Sequence, residues 1–353
     1  MNVTIRPLDV SSDHDLAQLN ALAEDADAEL YGGTQPRSIA QCRVLYTDWE
    51  YARTQRFVAE VEQMEGGTSI VALGSLTYPL HDNEDTVFIG LTVHPAFRGQ
   101  GIGTALVEEA MLPAIRASDR TLLTTWGEIP ADGDPDDPAH PWNHLAARLG
   151  MARKNVGVCR GLAMPVDPEL LDALDAEAAE KQGEYRIELW DDVCPEEHLA
   201  GYGALLRQLD LDDPAEDLEY EAADYTPERI RSFEERRRDG GMRAIIAVAI
   251  APDGTIAGNS EIYVAMRSAD AGNGPRSTLA WQENTLVMPD HRGHRLGLAM
   301  KVATHRLLSE QEPQIRSLIT WNSHVNPWMI SVNEKLGYTI RCRSVAYQGR
   351  LEK

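Results

Sequence analysis

Hydrophobic and polar positions follow the same order in two distant parts of the chain. Short alternating strands occur near residue 5 ("NVTIRPLD") and near residue 187 ("EYRIELWD"), each followed by a polar, helix-like stretch. Strand-rich segments follow in both, ending in "DTVFIGLTVHP" and "LAWQENTLVMP". A glycine-bearing turn, an amphipathic helix, a further strand and a helix ending in Leu-Gly complete each pattern. The chain is therefore predicted to be a duplication of one α/β unit.

This repeat predicts the domain organisation. We expect an N-terminal domain over 1–164, an acidic linker over 165–184 that forms an exposed helix, and a C-terminal domain over 185–353. Pro113 lies inside the helix that follows the first glycine turn, so we expect it to kink or shorten that helix. The polar, proline-rich segment 128–150 is expected to be either disordered or a cover over a cleft, and its His140 and His144 to be solvated.

Composition narrows the classes of partner. A chain of 353 residues with 43% hydrophobic residues can fold as two domains. Its net charge of −23 disfavours nucleic acid; it suits an amine substrate but is equally typical of an acidic, soluble surface. The four cysteines are far apart and form no CxxC pair, so we expect neither a metal site nor disulfides. With neither a signal peptide nor a membrane-spanning run, we expect a cytoplasmic monomer or homodimer with no membrane partner.

The glycine turns carry the first chemical signal. "FRGQGIGTAL" (97–106) and "HRGHRLGLAM" (291–300) each follow a strand and begin a helix, where free backbone N–H groups and the helix dipole favour an anion. Glycine lets the backbone approach such a ligand. The turns lack the spacing of the dinucleotide fingerprint and of the P-loop. They fit Arg/Gln-x-x-Gly-x-Gly/Ala instead, and the second copy departs from this pattern at Arg295.

Together with "NPWMISVNEKLGY" near the C-terminus, these turns make the sequence resemble the GNAT superfamily of N-acetyltransferases. The tandem layout is similar to that of mycothiol synthase-like, two-domain acetyltransferases of actinobacteria. The resemblance implies an α/β (α+β) fold of two tandem domains, each with a mixed, mostly antiparallel sheet flanked by helices. It also implies acetyl-CoA as co-substrate and a small-molecule primary amine as acceptor. The alternative is a non-catalytic tandem protein that binds or senses acetyl-CoA.

The resemblance also assigns residues to the acetyl-CoA site. The diphosphate would be held in the first half by Arg98, Gly99, Gln100, Gly101, Ile102, Gly103 and Thr104, and in the second by Arg292, Gly293, His294, Arg295, Leu296, Gly297 and Leu298. The pantetheine and thioester would lie beside Val93, Val287 and Met288, and the cofactor's arm would contact Asn326. Asn333 stands where the family often has a tyrosine that acts as general acid for the departing thiolate. Here Asn333 would orient the cofactor.

Arg295 departs from the glycine that the motif expects. We expect Arg295 to be tolerated at a negative φ, with its side chain able to reach a phosphate. The alternative is that Arg295 crowds the site and weakens binding of CoA in the second half.

The strand before each turn predicts which half is catalytic. Side chains alternate along a strand, so Trp281, Glu283, Thr285 and Val287 are expected on one face. The aligned face of the first half is apolar, with Val87, Ile89, Leu91 and Val93. Glu283 is therefore the predicted general base, acting directly or through water, and Glu261 is the next candidate. The alternative is that Glu283 is an ordinary surface carboxylate or a structural hydrogen-bond partner. On the preferred hypothesis, catalysis belongs to the second half.

Overall fold

The computed structural model describes residues 2–63, 66–212, 217–266 and 276–351. The chain divides into two compact units. Unit 1 is drawn from Met1–Gly157, Ala215–Glu221 and Cys342–Lys353, and unit 2 from Val158–Pro214 and Ala222–Arg341. The sequence predicted contiguous halves, whereas each unit here is assembled from separate parts of the chain.

Unit 1 contains a mixed sheet. Its strands are β1 (Val3–Pro7), β2 (Ala52–Glu62), β3 (Thr68–Pro79), β4 (Thr86–Val93), β5 (Leu122–Pro130) and, from Cys342, β12 (Thr339–Arg350). Neighbours in the sheet follow that same order. The pairs are antiparallel except β4 with β5, which run parallel. A parallel pair needs a crossover connection, and here helices provide it.

The helices of unit 1 are α1 (Asp13–Tyr31), α2 (Ile39–Tyr46), α3 (Ile102–Leu106), α4 (Leu112–Arg116) and α5 (Pro141–Arg148). A π-helical turn, Val107–Met111, separates α3 from α4. Pro113 lies just after it, and a proline ring clashes with the carbonyl four residues earlier. The predicted effect of Pro113 therefore appears as a widened helical turn that continues into α4.

Unit 2 repeats this design. Its strands are β6 (Ala152–Ala163, from Val158), β7 (Arg186–Asp191), β8 (Met242–Ile250), β9 (Ile256–Ala265), β10 (Leu279–Val287) and β11 (Ser317–Ser323). The order across the sheet is β6, β11, β10, β9, β8, β7. β10 and β11 are parallel, whereas β7 with β8, β8 with β9, and β9 with β10 form antiparallel pairs. The predicted fold class, α/β with mixed and mostly antiparallel sheets, is confirmed in both units.

The helices of unit 2 are α6 (Pro168–Gln182), α7 (Leu199–Asp212), α8 (Pro227–Asp239), α9 (Leu296–Gln311) and α10 (Pro327–Leu336). The segment expected to be an exposed linker forms α6, which packs against α9. Its Leu171, Leu174 and Ala178 are buried in the core of unit 2. Three apolar residues at helical spacing give α6 an inward face, so it is part of the unit.

The C-terminal strand completes the sheet of unit 1. β12 pairs with β5 from Cys342 opposite Pro130 to Arg350 opposite Leu122. Its Val345 and Tyr347 are fully buried in the same core as Leu76, Leu106 and Met111. The end of the chain therefore stabilises the unit that contains its beginning. Within the ranges that the structure describes, no helix is both long and apolar enough to span a membrane.

Candidate acyl-transfer site

The glycine turn of unit 2 links β10 to α9. After Val287 the chain makes a short 3₁₀ turn at Pro289–His291, and α9 begins at Leu296. Gly293 has φ of 88°, and a Cβ added there would meet no atom within 4 Å. The backbone of this turn is therefore not covered by other protein atoms on the side where a Cβ of residue 293 would project. Because the first N–H groups of a 16-residue helix have no partner within it, this open turn suits a diphosphate.

Unit 1 has a closely similar turn between β4 and α3. Gly99 and Gly101 have φ of 72° and 81°, and a Cβ at either would meet no atom within 4 Å. The helical region begins at Ile102, although α3 itself has only five residues. Both turns therefore provide space for a phosphate, and the residues assigned to acetyl-CoA around them remain predictions.

The leading arginine of each turn has the same structural role. Arg98 Nε donates to the carbonyl of Val93 over 3.1 Å, and Arg292 Nε donates to the carbonyl of Val287 over 3.2 Å. Each guanidinium also pairs with a carboxylate, Arg98 with Glu29 at 2.6 Å and Arg292 with Asp212. Each arginine thus ties the end of its strand to the turn that follows. A phosphate would have to compete with these carboxylates for the guanidinium.

Arg295 corrects two expectations. It caps α9 with φ of 53°, in the left-handed region, whereas a negative φ was expected. This conformation costs a non-glycine residue about 1–2 kcal/mol. Its side chain points to α6, where it donates to the carbonyl of Glu177 and to Glu180 Oε2 over 2.8 Å. Those contacts hold the residue in its strained conformation and direct its charge to α6.

A β-bulge interrupts β10 at the predicted base. Trp281 lies opposite Tyr263 and Thr285 lies opposite Ser260, so four steps along β10 match three along β9. The additional residue reverses the alternation, and Trp281 and Thr285 lie on opposite faces. The expectation that positions 281 to 287 share one face is therefore wrong. A Cβ on Gly297 would lie 3.9 Å from Thr285 and 3.8 Å from Val287, which shows that these two side chains face α9.

The parallel ladder beside the bulge ends early. β10 and β11 are paired only from Leu279 with Ser317 to Trp281 with Ile319. Beyond these residues the two strands separate, next to the bulge and before the glycine turn. The extra residue of a bulge leaves backbone groups unpaired. This part of unit 2 therefore combines a bulge with a gap between parallel strands.

Two carboxylates flank the bulge on the side of Trp281. Glu283 is accessible to solvent but closely surrounded by protein atoms. That desolvation and, to a smaller extent, the negative charge of Glu261 raise the pKa of Glu283 to about 7. A carboxylate with such a pKa can both accept and release a proton near neutrality.

Glu261 is enclosed by hydrogen-bond donors. It is 2% exposed and accepts from Tyr202, from Asn259 Nδ2 over 2.6 Å and from Tyr263 Oη over 3.2 Å. Burial raises the pKa of Glu261 despite these donors. Since its oxygens are already engaged, Glu261 is less suited than Glu283 to receive a proton from a bound ligand. Sequence reasoning missed Tyr202, because its distance along the chain hides this contact.

The corresponding strand of unit 1 lacks the bulge and the carboxylates, although its parallel ladder with β5 also ends early, at Ile89 opposite Thr125. The β3–β4 ladder runs without a register shift from Ala72 opposite Val93 to Thr77 opposite Phe88. Val87 and Ile89 are buried in the apolar core, and Leu91 and Val93 pack against it. The predicted apolar face is therefore present. Ile89 occupies the position that Glu283 has in unit 2.

Asn333 does not line an open site. It is fully buried, its Oδ1 accepts from Lys301 Nζ over 2.7 Å, and its Nδ2 donates to Asn322 Oδ1 over 3.3 Å. The proposed direct contact between Asn333 and the cofactor is therefore revised to a structural role between α10, α9 and β11. Asn326 caps α10 by accepting from Met329 N over 3.1 Å, and its contact with the cofactor remains a prediction.

Lys301 is the titratable group that sequence reasoning missed. Its side chain is 1% exposed, and its Nζ lies 5.1 Å from the ring centre of Tyr338. Burial lowers the pKa of Lys301 to about 7. A lysine inside the apolar run "LAMKVA" was the available signal. Tyr338 is buried, and its Oη lies within hydrogen-bond distance of His305 Nε2, at 2.9 Å, which agrees with the expected core role.

The polar segment of unit 1 is ordered around α5. His140 caps this helix by accepting from Trp142 N over 3.4 Å, and desolvation lowers its pKa. His144 is exposed. Across the described part of the chain, no group of three or more His, Cys, Asp or Glu residues is arranged to hold a metal ion. His140 is thus a helix cap, where solvation was expected.

Comparison with known proteins places these features in a family. Residues 19–124 match the sequence model of the Acetyltransferase (GNAT) family. The whole chain is similar to the solved structure of a tandem GNAT protein from the clavulanic acid biosynthesis pathway, determined without acetyl-CoA. The two share 26% identity with a TM-score of 0.72, over 100% of this chain and 99% of the other. Part of unit 1 therefore matches the GNAT family, and the whole chain has the fold of a tandem GNAT protein.

More distant structures share the fold. A GCN5-related N-acetyltransferase from Sphaerobacter thermophilus aligns at 15% identity and a TM-score of 0.62, over 99% of this chain and 96% of its own. N-myristoyltransferase from Saccharomyces cerevisiae with myristoyl-CoA aligns at 12% identity and a TM-score of 0.56, over 99% of this chain and 83% of its own. No curated protein sequence matches significantly. The match to the GNAT family model and the similarity to a tandem GNAT structure support acetyl transfer as the general chemistry and acetyl-CoA as the donor.

Proposed function

We propose that this protein transfers an acetyl group from acetyl-CoA to a primary amine of a small molecule, and that the reaction takes place in unit 2. The observation that carries the proposal is the bulge in β10. It combines a carboxylate with a pKa of about 7, unpaired backbone groups and a gap between parallel strands. The regular β4 of unit 1 has no bulge, and Ile89 stands there in place of the carboxylate.

In this proposal the two faces of β10 have different roles, because the cofactor binds on the α9 side and the proton is removed on the other. On the α9 side, the turn from Arg292 to Leu298 would hold the diphosphate, and Val287 would lie beside the pantetheine. Met288 accepts from the N–H of His291 through its carbonyl and so helps to shape this turn. The open backbone at Gly293 fits the phosphate. Acetyl-CoA supplies the acetyl group as a thioester.

On the opposite side of β10, Glu283 takes the proton. An ammonium group cannot attack a carbonyl, because its lone pair is used for the proton. Glu283, directly or through a water molecule, accepts this proton and leaves a neutral amine next to the bulge. The unpaired N–H groups of the bulge polarise the thioester carbonyl while the new C–N bond forms and the C–S bond breaks. CoA leaves as the thiolate, and the nitrogen loses its second proton to this thiolate or to solvent. Asn333 has no acidic proton to give to the departing thiolate, so no residue is assigned to that step.

Replacing Glu283 tests this proposal. We expect Glu283→Gln to lower the rate of thiol release from acetyl-CoA, in the presence of a panel of primary amines, by about 10²–10⁴-fold. The matched control is Glu128→Gln in unit 1, which removes another carboxylate whose pKa burial raises and should leave the rate unchanged.

Three other results would contradict parts of the proposal. Full activity in Glu283→Gln would exclude Glu283 as the base. A loss confined to Glu128→Gln would move the reaction to unit 1. Tight binding of acetyl-CoA without turnover for any amine would support the non-catalytic alternative.

A further inference from the structure

A pair of stacked tryptophans stands where the strands of unit 2 separate. Trp281 on β10 and Trp321 on β11 have ring centres 5.5 Å apart and planes inclined by 27°. Trp321 lies two residues beyond Ile319, where the parallel ladder ends. It is 38% exposed despite its size. Part of an aromatic surface is therefore exposed to solvent at the mouth of the gap.

This aromatic pair lies on the same side of the sheet as the two carboxylates. Trp281 is directly opposite Tyr263, and opposed residues of an antiparallel pair share a face. Tyr263 donates to Glu261 over 3.2 Å, the negative charge of Glu283 acts on Tyr263, and that of Glu261 acts on Glu283. Thr285 and Val287, in contrast, face α9 beside Gly297. The tryptophans are thus separated by β10 from the turn proposed to hold the diphosphate.

We propose that Trp281 and Trp321 bind the acceptor and determine its class, an inference that rests on the proposed function of unit 2. The acceptor is a primary amine that carries a flat apolar face close to its nitrogen. The flat face stacks on the tryptophans, while the ammonium group lies between the aromatic surface and Glu283. A cation near an indole ring gains about 0.5–2 kcal/mol, and a carboxylate adds a charge-assisted hydrogen bond. An aromatic ring or the C–H face of an amino sugar provides such a surface.

Unit 1 offers a matched comparison. Phe88 on β4 and Trp126 on β5 are stacked with centres 5.9 Å apart and an inclination of 28°, and Trp126 is 45% exposed. This pair has the same position relative to its parallel strands, since Trp126 lies two residues beyond Thr124, the partner of Phe88. Ile89 replaces the carboxylate there. Truncating Trp126 therefore removes an equivalent aromatic ring without affecting the proposed acceptor site.

The experiment compares Trp321→Ala with Trp126→Ala in the full chain. Binding of phenethylamine, glucosamine and the acyclic n-hexylamine is measured by calorimetry in the presence of CoA, and their acetylation by thiol release. We expect Trp321→Ala to weaken binding and raise KM for a ring-bearing amine by about tenfold or more, with kcat and the KM for acetyl-CoA nearly unchanged. Trp126→Ala and the acyclic amine should show less than about twofold change by the same reasoning.

The outcomes separate the two proposals. The role of the tryptophans in acceptor binding is overturned if Trp321→Ala weakens binding of the ring-bearing and acyclic amines equally, or does not weaken amine binding at all. A preference for phenethylamine or for glucosamine identifies the source of the flat face. Another outcome is that the wild-type chain binds ring-bearing amines in a way that requires Trp321 and yet acetylates no amine. That result would support acceptor binding by the tryptophans and contradict the proposed reaction. Trp321→Leu, with unfolding measured in parallel, replaces Trp321→Ala if the latter does not fold.

Discussion

At the scale of single residues, the core of unit 2 holds an unusual amine. Lys301 donates to Asn333 within a fully buried network, and no carboxylate contributes to its lowered pKa of about 7. Burial without an opposite charge favours the neutral form of lysine. Lys301 thus links α9 to α10 as a hydrogen-bond donor whose charge depends on pH.

Replacing Lys301 with methionine should change how stability depends on pH. The unfolded lysine titrates near its ordinary pKa of 10.5, so between pH 7 and 10 the unfolded state binds more protons than the folded state. Wild-type stability therefore rises with pH relative to Lys301→Met, by about 2 kcal/mol between pH 7 and pH 9. Chemical unfolding of both proteins at the two pH values measures this difference. A constant difference would show that Lys301 remains charged in the folded state.

Sequence reasoning selected Glu283 through a partly wrong argument, and its role as the base remains a prediction. Strict alternation along β10 drew attention to the position, but the bulge breaks that alternation beyond it. A bulge is defined by the register of two strands that are distant in sequence, and a single strand does not reveal it. For the same reason, the contacts of Glu261 with Tyr202 and of Asn333 with Lys301 could not be foreseen.

At the scale of elements, the two turns differ in how they begin their helices. Gly101 precedes α3 with a positive φ at no steric cost, whereas Arg295 precedes α9 in a similar conformation and is held by α6. The sequence predicted both turns, because glycine, arginine and the following helix are adjacent in the chain. It did not predict the support of Arg295 by α6, which comes from another part of unit 2.

Alanine substitution of Gly101 should destabilise the protein. With φ of 81° at this residue, a Cβ is strained although space is available, so Gly101→Ala should cost about 1–2 kcal/mol. Gly201 in α7 is the control, because it is exposed, has ordinary contacts and lies within a helix. Gly201→Ala should stabilise by up to about 1 kcal/mol. Equal effects of the two substitutions on urea unfolding would argue against the left-handed conformation at Gly101.

At the scale of the whole molecule, the chain exchanges strands between its two units. The sequence repeat predicted two similar units, and this organisation is present in the tandem GNAT fold. The boundaries were harder to predict, since β12 reads as the last strand of the second half but pairs with β5 of the first. Strand pairing between residues some 200 positions apart leaves no local sequence signal.

Truncating Tyr347 tests this exchange. The residue is fully buried in unit 1, and its hydroxyl donates to Asn143 Oδ1 over 2.7 Å. Tyr347→Ala should destabilise unit 1 by about 3–5 kcal/mol, and Tyr347→Phe by about 1 kcal/mol. Hydrogen exchange should show lost protection in β4 and β5, with β8 and β9 retained. Loss confined to β8 and β9 would place β12 in the other unit.

The central claim is that Glu283 removes the acceptor's proton in unit 2, and the pH dependence of kcat at saturating acetyl-CoA and amine tests it most directly. Because Glu283 must be a carboxylate to act, kcat for wild type should rise about tenfold per pH unit below its pKa of about 7 and level off above it. Glu283→Gln should be slower and lack this break, while Glu128→Gln should keep it. An unchanged break in Glu283→Gln would contradict the claim.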